Sequence, residues 1–435
     1  MKNLSQNEKI VARDLAHVWH PCTQMKDHET LPLVPIKRAE GVWLEDFDGN
    51  RYIDGISSWW VNLFGHANPY IADKVAEQAR TLEHVLLAGF THEPAVRLAE
   101  RLCAITPDGL NKLFFADNGS SAVEIALKMS YHAHLNAGEK RPLFLSLANS
   151  YHGETIGALS VGDVALYKET YEPILIRSIQ TPVPVDATLE AAEEAAKALE
   201  EILHAHAADI SALIVEPLVQ CAGSMHMYHP RYLTRARELC DRYGIHLIAD
   251  EIAVGFGRTG TMFACEQAGI SPDFLCLSKG LTGGFMPMAV VLTTDEIYGR
   301  FYCDYLEFRA FLHSHSYTGN PLGCACANAV LDLFEKDDVL ASNRKKIAWM
   351  AELMAPFASL ANVKEVRQTG MIGAVELRGY APTDRVNLKI FEHCLKRGVF
   401  IRPLGPVLYF MPPYVIEREE MTKMIETAYD AVVSL

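Results

Sequence analysis

Short apolar runs alternate with amphipathic helical patterns through the middle of the chain. Helical patterns such as SAVEIALKMSYHAHL and PRYLTRARELCDRYG lie between the runs, and Gly244 is a natural end for the second helix. Continuous apolar strands separated by helices predict a mostly parallel sheet that is covered on both faces. The predicted strands are KLFFA (112–116), LFLSL (143–147), ALIVE (212–216), IHLIAD (245–250), FLCLS (274–278) and MAVVLT (288–293).

The pattern changes after about residue 330, where a helical region precedes two strand-like pieces and a closing helix. Near the start, GVWLEDFDGNRYID carries a hairpin signal of its own. We predict an α/β protein with a large domain, whose mostly parallel central sheet is flanked by helices, and a smaller α+β domain formed by both chain ends. The predicted boundaries are 1–65 for the N-terminal segment of the small domain, 66–330 for the large domain and 331–435 for the C-terminal small domain.

Composition excludes several classes of protein. The 435 residues include 49% hydrophobic and 22% charged residues, which excludes disordered, fibrous and coiled-coil chains. A formal net charge of −14 disfavours nucleic-acid binding, because phosphate contacts require clustered Lys and Arg. The apolar run LTGGFMPMAVVL is too short to span a membrane, and the first residues lack a signal-peptide pattern. Ten scattered cysteines without a CxxC pair indicate a reducing compartment, so we expect a cytoplasmic protein.

A polar turn follows the first predicted strand of the large domain. It contains Gly119 and Ser120 and leads directly into a helix. Free backbone N–H groups and the positive dipole end of a helix suit a phosphate group. Taken alone, the turn could equally be an ordinary helix N-cap.

Two further strands end in residues that can carry chemistry. Asp250 closes one apolar strand, and Lys279 follows the next one 29 residues later, so both can reach the same edge of the sheet. Burial would lower the pKa of the lysine and make its amine a nucleophile, although Lys279 alone could be a surface lysine. An amine, an acid and a phosphate turn together match pyridoxal phosphate, which needs an aldehyde partner, a counter-ion and an anion site.

The sequence disfavours two other kinds of site. The loop Gly255–Gly260 has the literal spacing GxGxxG, but no acidic residue closes the following strand, so a dinucleotide site is disfavoured. We interpret it as a flexible glycine loop that presents Arg258. Three histidine pairs, at 132/134, 204/206 and 313/315, lack the nearby ligands of a metal site, so we expect surface histidines and no metal.

The chain resembles the class-III, fold-type-I pyridoxal-phosphate aminotransferases. The segments LIADEIAVGFGRTG and LSKGLTGG carry the class signature. The resemblance spans roughly residues 18–415 and is strengthened by VWHPCTQM, SSWWVN, NSYHGET, HSHSYTGNP and FIRPLGPVLYFMPPY.

The resemblance implies roles for individual residues. At the cofactor, it implies a Schiff base at Lys279, a pyridine-nitrogen partner in Asp250, phosphate contacts from Gly119 and Ser120, and ring contacts from Tyr151 and Ile252. It implies that His315 and Ser316 reach the phosphate of the partner subunit in a homodimer with shared sites. The implied substrate pocket contains Trp59, Tyr151, Lys279, Ser314, Arg402 and Cys22, with Arg402 binding a carboxylate. Cys22 stands where well-known members of the family carry a substrate-contacting tyrosine.

The implied reaction converts 8-amino-7-oxononanoate into 7,8-diaminononanoate, with S-adenosyl-L-methionine as the amino donor, in biotin biosynthesis. Three alternatives remain open from the sequence. The donor could be lysine, or a different amine or ω-amino acid could be the substrate of another class-III enzyme. Outside the family, a nicotinamide-dependent oxidoreductase or a non-catalytic binding protein would lack a pyridoxal chromophore.

Overall fold

The computed structural model describes residues 4–31 and 33–435. The chain forms two compact units. The large unit comprises Pro69–Ile347 and Arg367–Ile372, and the small unit comprises Met1–Asn68, Ala348–Val366 and Gly373–Leu435. The domain boundaries that we predict from the sequence, at 65/66 and 330/331, stay a prediction. Within the described ranges, no helix combines the length and apolar character that a membrane span requires.

The secondary structure of the described residues has the following bounds. The strands are β1 (Ile36–Glu40), β2 (Trp43–Asp46), β3 (Arg51–Asp54), β4 (Lys112–Ala116), β5 (Leu143–Leu147), β6 (Ser178–Thr181), β7 (Ile210–Val215), β8 (Val219–Gln220), β9 (His226–Met227), β10 (His246–Asp250), β11 (Phe274–Leu277), β12 (Ala289–Thr293), β13 (Val363–Thr369), β14 (Ile372–Leu377), β15 (Val399–Phe400) and β16 (Val407–Phe410). The α-helices are α1 (Gln6–His17), α2 (Ser57–Trp60), α3 (Pro69–Thr81), α4 (Glu93–Ile105), α5 (Gly119–Asn136), α6 (Ile156–Ser160), α7 (Ala165–Lys168), α8 (Leu189–His206), α9 (Arg231–Tyr243), α10 (Asp295–Gly299), α11 (Pro321–Asp337), α12 (Val339–Met354), α13 (Val386–Leu395) and α14 (Arg418–Val433).

A seven-stranded sheet forms the centre of the large unit, in the order β4-β12-β11-β10-β7-β5-β6. The run from β11 to β6 is parallel, and β12 alone runs antiparallel to its two neighbours, β11 and β4. The predicted mostly parallel sheet is therefore confirmed. Because β4 runs in the same direction as β11, the carboxyl ends of β4, β5, β7, β10 and β11 meet at one edge.

Buried helix faces hold the sheet in place. Val123, Ile125 and Ala126 of α5 share a core with Ile214 of β7 and Ile248 of β10, and all five are fully buried. Complete burial of a valine or isoleucine side chain stabilises the fold by about 1.5–3 kcal/mol. Helix α5 is thereby fixed against the sheet, and its first residues stand at the carboxyl edge. Helix α9 ends at Gly244, whose φ of 61° is the left-handed cap predicted from the sequence.

The small unit is built from both ends of the chain. Strands β1, β2 and β3 form an antiparallel meander, and β15 pairs parallel with β3, so that Val399 lies opposite Ile53. Strands β14 and β16 pair antiparallel, with Gly373 opposite Phe410. The predicted α+β domain formed by both chain ends matches this arrangement.

The prediction of surface histidines is wrong for His134. Its ring is buried, with Nδ1 at 3.0 Å from Glu139 Oε2 and Nε2 at 3.1 Å from the Ser211 carbonyl. The ring of His246, the first residue of β10, lies 4.2 Å away between centroids. Burial lowers the pKa of both imidazoles, to about 3 for His246. The two-residue spacing gave no sign of this stack, because the partner comes from another strand.

Candidate active site

The start of α5 lies at the carboxyl edge of the sheet. Asn118 caps the helix by accepting the Ser121 N–H at 3.0 Å, so the N-cap interpretation is correct for this residue. Gly119 and Ser120 then form the first turn. A Cβ atom on Gly119 would lie 3.1 Å from the Ile252 side chain, so glycine allows Ile252 to pack directly onto the turn. The capped helix still presents free N–H groups, which are compatible with an anion.

Asp250 is the last residue of β10, and its carboxylate is held at both oxygens. His152 Nδ1 lies 2.8 Å from Oδ2, and the Ile252 N–H donates to Oδ1 at 3.1 Å. Both Asp250 and His152 are buried. The second ring nitrogen of His152 is also buried and has no hydrogen-bond partner among the described residues. The carboxylate is thus fixed in orientation at a place where a charge is costly without a cationic partner.

Lys279 follows β11 at the same edge. Asp250 pairs in register with Cys276, three residues before the lysine. Lys279 is partly buried and has a φ of 44°, a left-handed conformation that is uncommon for a lysine and typical of functional positions. Loss of hydration lowers the pKa of its amine, and Cys221, Asp250 and Glu216 act in the opposite direction. The amine is therefore a better nucleophile and base than a surface lysine.

Glu216 follows β7 directly and was missed by the reasoning from sequence. Its buried carboxylate accepts the Tyr151 N–H at 2.9 Å and the Cys221 N–H at 3.2 Å. Burial raises its pKa to about 7. The strand ALIVE ends in this carboxylate, so the same strand-end rule that selected Asp250 could have found it. His152 had a weaker signal, namely its position directly after Tyr151.

Tyr151 lies on the loop after β5 and is held at three points. Glu216 fixes its backbone, its hydroxyl donates to Glu154 Oε1 at 3.1 Å, and its ring meets the ring of Tyr167 at 5.4 Å between centroids. The side chain is half-buried. The structure therefore brings Tyr151 to the same edge as Asp250, through its neighbour His152.

The segment with Ser314, His315 and Ser316 is more exposed. His315 Nδ1 lies 4.0 Å from Asp117 Oδ2, just before the turn that begins α5, and the His315 N–H donates to Thr318 Oγ1 at 2.9 Å. Both serines are exposed. Among the contacts of the described residues, no hydrogen bond joins either serine to Lys279 or Asp250.

Three predicted substrate residues meet in the small unit. Arg402 Cζ lies 4.9 Å from the ring centroid of Trp59, and Arg402 Nη2 donates to the Cys22 carbonyl at 3.0 Å. The backbone around Trp59 is strained, with φ of 53° at Ser57 and 62° at Ser58. All three residues remain exposed, so a guanidinium and an aromatic ring are open to a ligand.

In the Gly255–Gly260 loop, Arg258 is buried and not presented to solvent as predicted. Arg258 is only 1% exposed, and its carbonyl accepts the Met371 N–H at 2.8 Å. The expectation that a flexible loop presents this arginine is therefore wrong, because the loop is packed into the large unit. The buried guanidinium contributes to the lowered pKa of Lys279.

The edge of the large unit fits pyridoxal phosphate. A partly buried amine with a lowered pKa, a carboxylate fixed at both oxygens and the free N–H groups of α5 supply the aldehyde partner, the counter-ion and the anion site. The buried Nε2 of His152 has no hydrogen-bond partner among the described residues, so a polar group of a ligand could supply one at this edge.

Comparisons with known proteins agree with this geometry. The family model of aminotransferase class-III matches residues 24–432. A protein of Helicobacter pylori named adenosylmethionine-8-amino-7-oxononanoate aminotransferase is 52% identical over 425 residues, 96% of each chain. A protein of Geobacter sulfurreducens with the same name is 43% identical, over 95% of each chain. The crystal structure of the Methanocaldococcus jannaschii protein of that name superposes with a TM-score of 0.94 at 35% identity, covering 98% of this chain and 99% of the other. This chain belongs to the class-III aminotransferases.

Proposed function

We propose that the protein transfers an amino group from S-adenosyl-L-methionine to 8-amino-7-oxononanoate, giving 7,8-diaminononanoate in biotin biosynthesis. The observation that carries the proposal is that Lys279 and the fixed carboxylate of Asp250 lie at the carboxyl ends of adjacent strands, where Asp250 acts electrostatically on the Lys279 amine. The names of the relatives at up to 52% identity support the choice of substrates.

Class-III aminotransferases use pyridoxal 5′-phosphate as their cofactor. When bound, this cofactor takes up and returns the amino group and stabilises the negative charge at the carbon that loses its proton. Asp250 would pair with the pyridine nitrogen, and Gly119 and Ser120 would hold the phosphate. Ile252 and Tyr151 would contact the ring faces.

Lys279 would hold the cofactor covalently and would carry the proton. Its lowered pKa leaves more of the amine neutral near neutral pH, so Nζ could accept the proton that leaves the donor α-carbon in the first half-reaction and supply one to the carbon that receives the amino group in the second. The left-handed backbone at Lys279 fixes the direction from which the side chain enters the site. Asp250 would keep the pyridine nitrogen protonated, and His152 together with the Ile252 N–H keeps the Asp250 carboxylate oriented for that task.

The small unit selects the substrate. The Arg402 guanidinium binds the carboxylate of the oxononanoate, because its planar fork matches a carboxylate better than an ammonium does. Its position over Trp59 limits the orientations that the guanidinium can take. Cys22, whose carbonyl accepts a hydrogen bond from Arg402 Nη2, is a further proposed substrate contact. Ser314, a residue of the large unit, is another.

The active assembly is a homodimer in the cytoplasm. His315 and Ser316 serve the phosphate site of the partner subunit, so each site needs two chains. Large apolar side chains are exposed over residues 302–317, as a surface that is covered in an oligomer would be. They are Tyr302, Tyr305, Leu306, Phe308, Leu312 and Tyr317. All ten cysteines are free thiols, in keeping with a reducing compartment.

The test separates the two half-reactions. The purified holoenzyme is mixed with S-adenosyl-L-methionine, with lysine or with an ω-amino acid, and the absorbance change from the pyridoxal to the pyridoxamine form is recorded. We expect conversion with S-adenosyl-L-methionine and return to the pyridoxal form on adding 8-amino-7-oxononanoate, with 7,8-diaminononanoate detected by mass. Conversion with lysine but not with S-adenosyl-L-methionine would mean that lysine is the amino donor. A purified protein without a pyridoxal chromophore would refute the whole proposal.

A further inference from the structure

Helix α5 carries a polar stripe of three side chains spaced four residues apart, Ser120, Glu124 and Lys128, which lie on one face of the helix. Ser120 Oγ accepts the Glu154 N–H at 3.2 Å. Glu124 Oε1 accepts the Gly157 N–H at 2.7 Å and the Ala158 N–H at 3.2 Å. The first two members of the stripe therefore hold the segment 154–158 that follows the Tyr151 loop.

The third member reaches a different segment. Lys128 Nζ lies 2.9 Å from His313 Nδ1, and His313 Nε2 lies 3.3 Å from His315 Nε2. His315 Nδ1 faces Asp117 Oδ2 at 4.0 Å. Lys128, His313, His315 and Asp117 thus form a continuous chain, here called the His313 chain, which returns to the turn before α5.

The chemistry of the groups fixes where the protons lie. A protonated lysine can only donate, so His313 Nδ1 must accept. A neutral His313 then carries its proton on Nε2 and donates it to His315 Nε2. His315 Nδ1 faces the Asp117 carboxylate at 4.0 Å, which is an electrostatic contact and too long for a hydrogen bond. The two hydrogen bonds of the His313 chain therefore run in the same direction, from Lys128 through His313 to His315.

We propose that Lys128, His313 and His315 are positioning residues that hold the segment 313–316 against the start of α5. This role rests on the proposed function, because Ser314 and Ser316 of that segment are the proposed substrate and phosphate contacts. Under the homodimer proposal, the His313 chain of one subunit would order residues that serve the cofactor of the other. Lys128 would therefore affect cofactor retention without touching the cofactor.

The contact between Lys128 and His313 requires a neutral His313 imidazole. Protonation of His313 removes the acceptor for the Lys128 ammonium. The charged groups that face His313 are Lys128 and Glu124 on α5 and His315 on its own segment, and burial is the main cause of its lowered pKa. The rings of Phe311 and Phe114 pack against His313 and carry no charge. We expect the segment to loosen as the pH falls through the histidine range.

The test measures hydrogen–deuterium exchange of the holoenzyme in peptides that cover 309–320 and 154–158. Lys128→Met should speed exchange in 309–320 by about three- to fivefold, as expected for one exposed charge-assisted hydrogen bond. Exchange in 154–158 should stay unchanged, because Glu124 still holds that segment. Lys128→Arg should restore protection, and Lys140→Met, beyond the C-terminal end of α5, serves as the matched control.

Two further readouts separate positioning from general stabilisation. Pyridoxal phosphate should dissociate about three- to fivefold faster from Lys128→Met during dilution. The protection difference between the parent and Lys128→Met should vanish in acid, below the histidine range. Equal exchange in 309–320 for parent and variant at neutral pH would overturn the inference. Failure of the proposed function is a different result, namely a parent enzyme that forms no pyridoxal chromophore.

Discussion

The carboxyl edge of the large unit and the Trp59–Arg402 pair of the small unit are built in opposite ways. At the edge, Asp250 and Glu216 are buried and accept hydrogen bonds from backbone N–H groups or a buried imidazole. In the small unit, Arg402 and Trp59 are exposed and are held by ring contact and a strained backbone. Covalent and proton chemistry needs fixed, dehydrated groups, whereas carboxylate recognition needs a reachable cation.

The strongest test of this contrast is Lys279→Ala. Loss of the nucleophile and base should lower kcat by about 10⁴-fold or more, and borohydride should no longer fix the cofactor to the chain. Product formation measures the first effect, and absorbance together with the mass of the borohydride-treated protein measures the second. Lys140→Ala should behave like the parent. Full activity in Lys279→Ala would remove this lysine from the mechanism.

The next test keeps the shape of the edge and removes its charge. Asp250→Asn should retain the cofactor but lower kcat by about 10²–10³-fold, because an amide does not hold a proton on the pyridine nitrogen. Steady-state kinetics and cofactor content per chain are the measurements. A variant that turns over at the parent rate would exclude Asp250 as the counter-ion.

On the side of the small unit, Arg402→Ala should affect binding rather than chemistry. KM for 8-amino-7-oxononanoate should rise by about 10–100-fold, with little change in the donor half-reaction, since one charge-assisted contact is lost. Arg402→Lys should fall in between. An equal rise for the donor and the oxononanoate would mean that Arg402 does not discriminate between them.

The smallest effect concerns partly buried His246, which starts β10 at the end opposite Asp250. Because the pKa of His246 is about 3 in the folded chain, the unfolded chain binds an extra proton below its ordinary pKa near 6.5. The free energy of unfolding should therefore fall with decreasing pH between about 6.5 and 3, by at most about 1.4 kcal/mol per pH unit for this histidine.

Urea unfolding of the holoenzyme at several pH values measures this slope. His246→Phe keeps an aromatic ring without a titratable proton. It should reduce the pH dependence of the free energy of unfolding by up to the contribution of one proton. An unchanged slope would locate the acid sensitivity elsewhere, for example at the active-site edge.

Strand positions were predictable because apolar runs mark buried strands, and Asp250 and Lys279 followed from the rule that chemistry lies at carboxyl ends. The reversed direction of β12 was not predictable, since an apolar run carries no direction. His152 was missed because its partner lies 98 residues away, and only the folded sheet brings the two together. The burial of Arg258 contradicted the usual exposure of arginine. The left-handed serines before Trp59 had no sequence signal either, because serine rarely adopts that conformation.

The parallel pairing of β15 with β3 has a consequence for synthesis on the ribosome. Val399 emerges about 350 residues after Ile53, its partner in the sheet. At about 5–20 residues per second, the nascent meander would wait about 20–70 seconds with one side of β3 unpaired. An open strand of this kind invites pairing with another chain. A chain truncated before Val399 should therefore aggregate. Correct folding of the full chain should depend on protection of β3 until β15 has been synthesised.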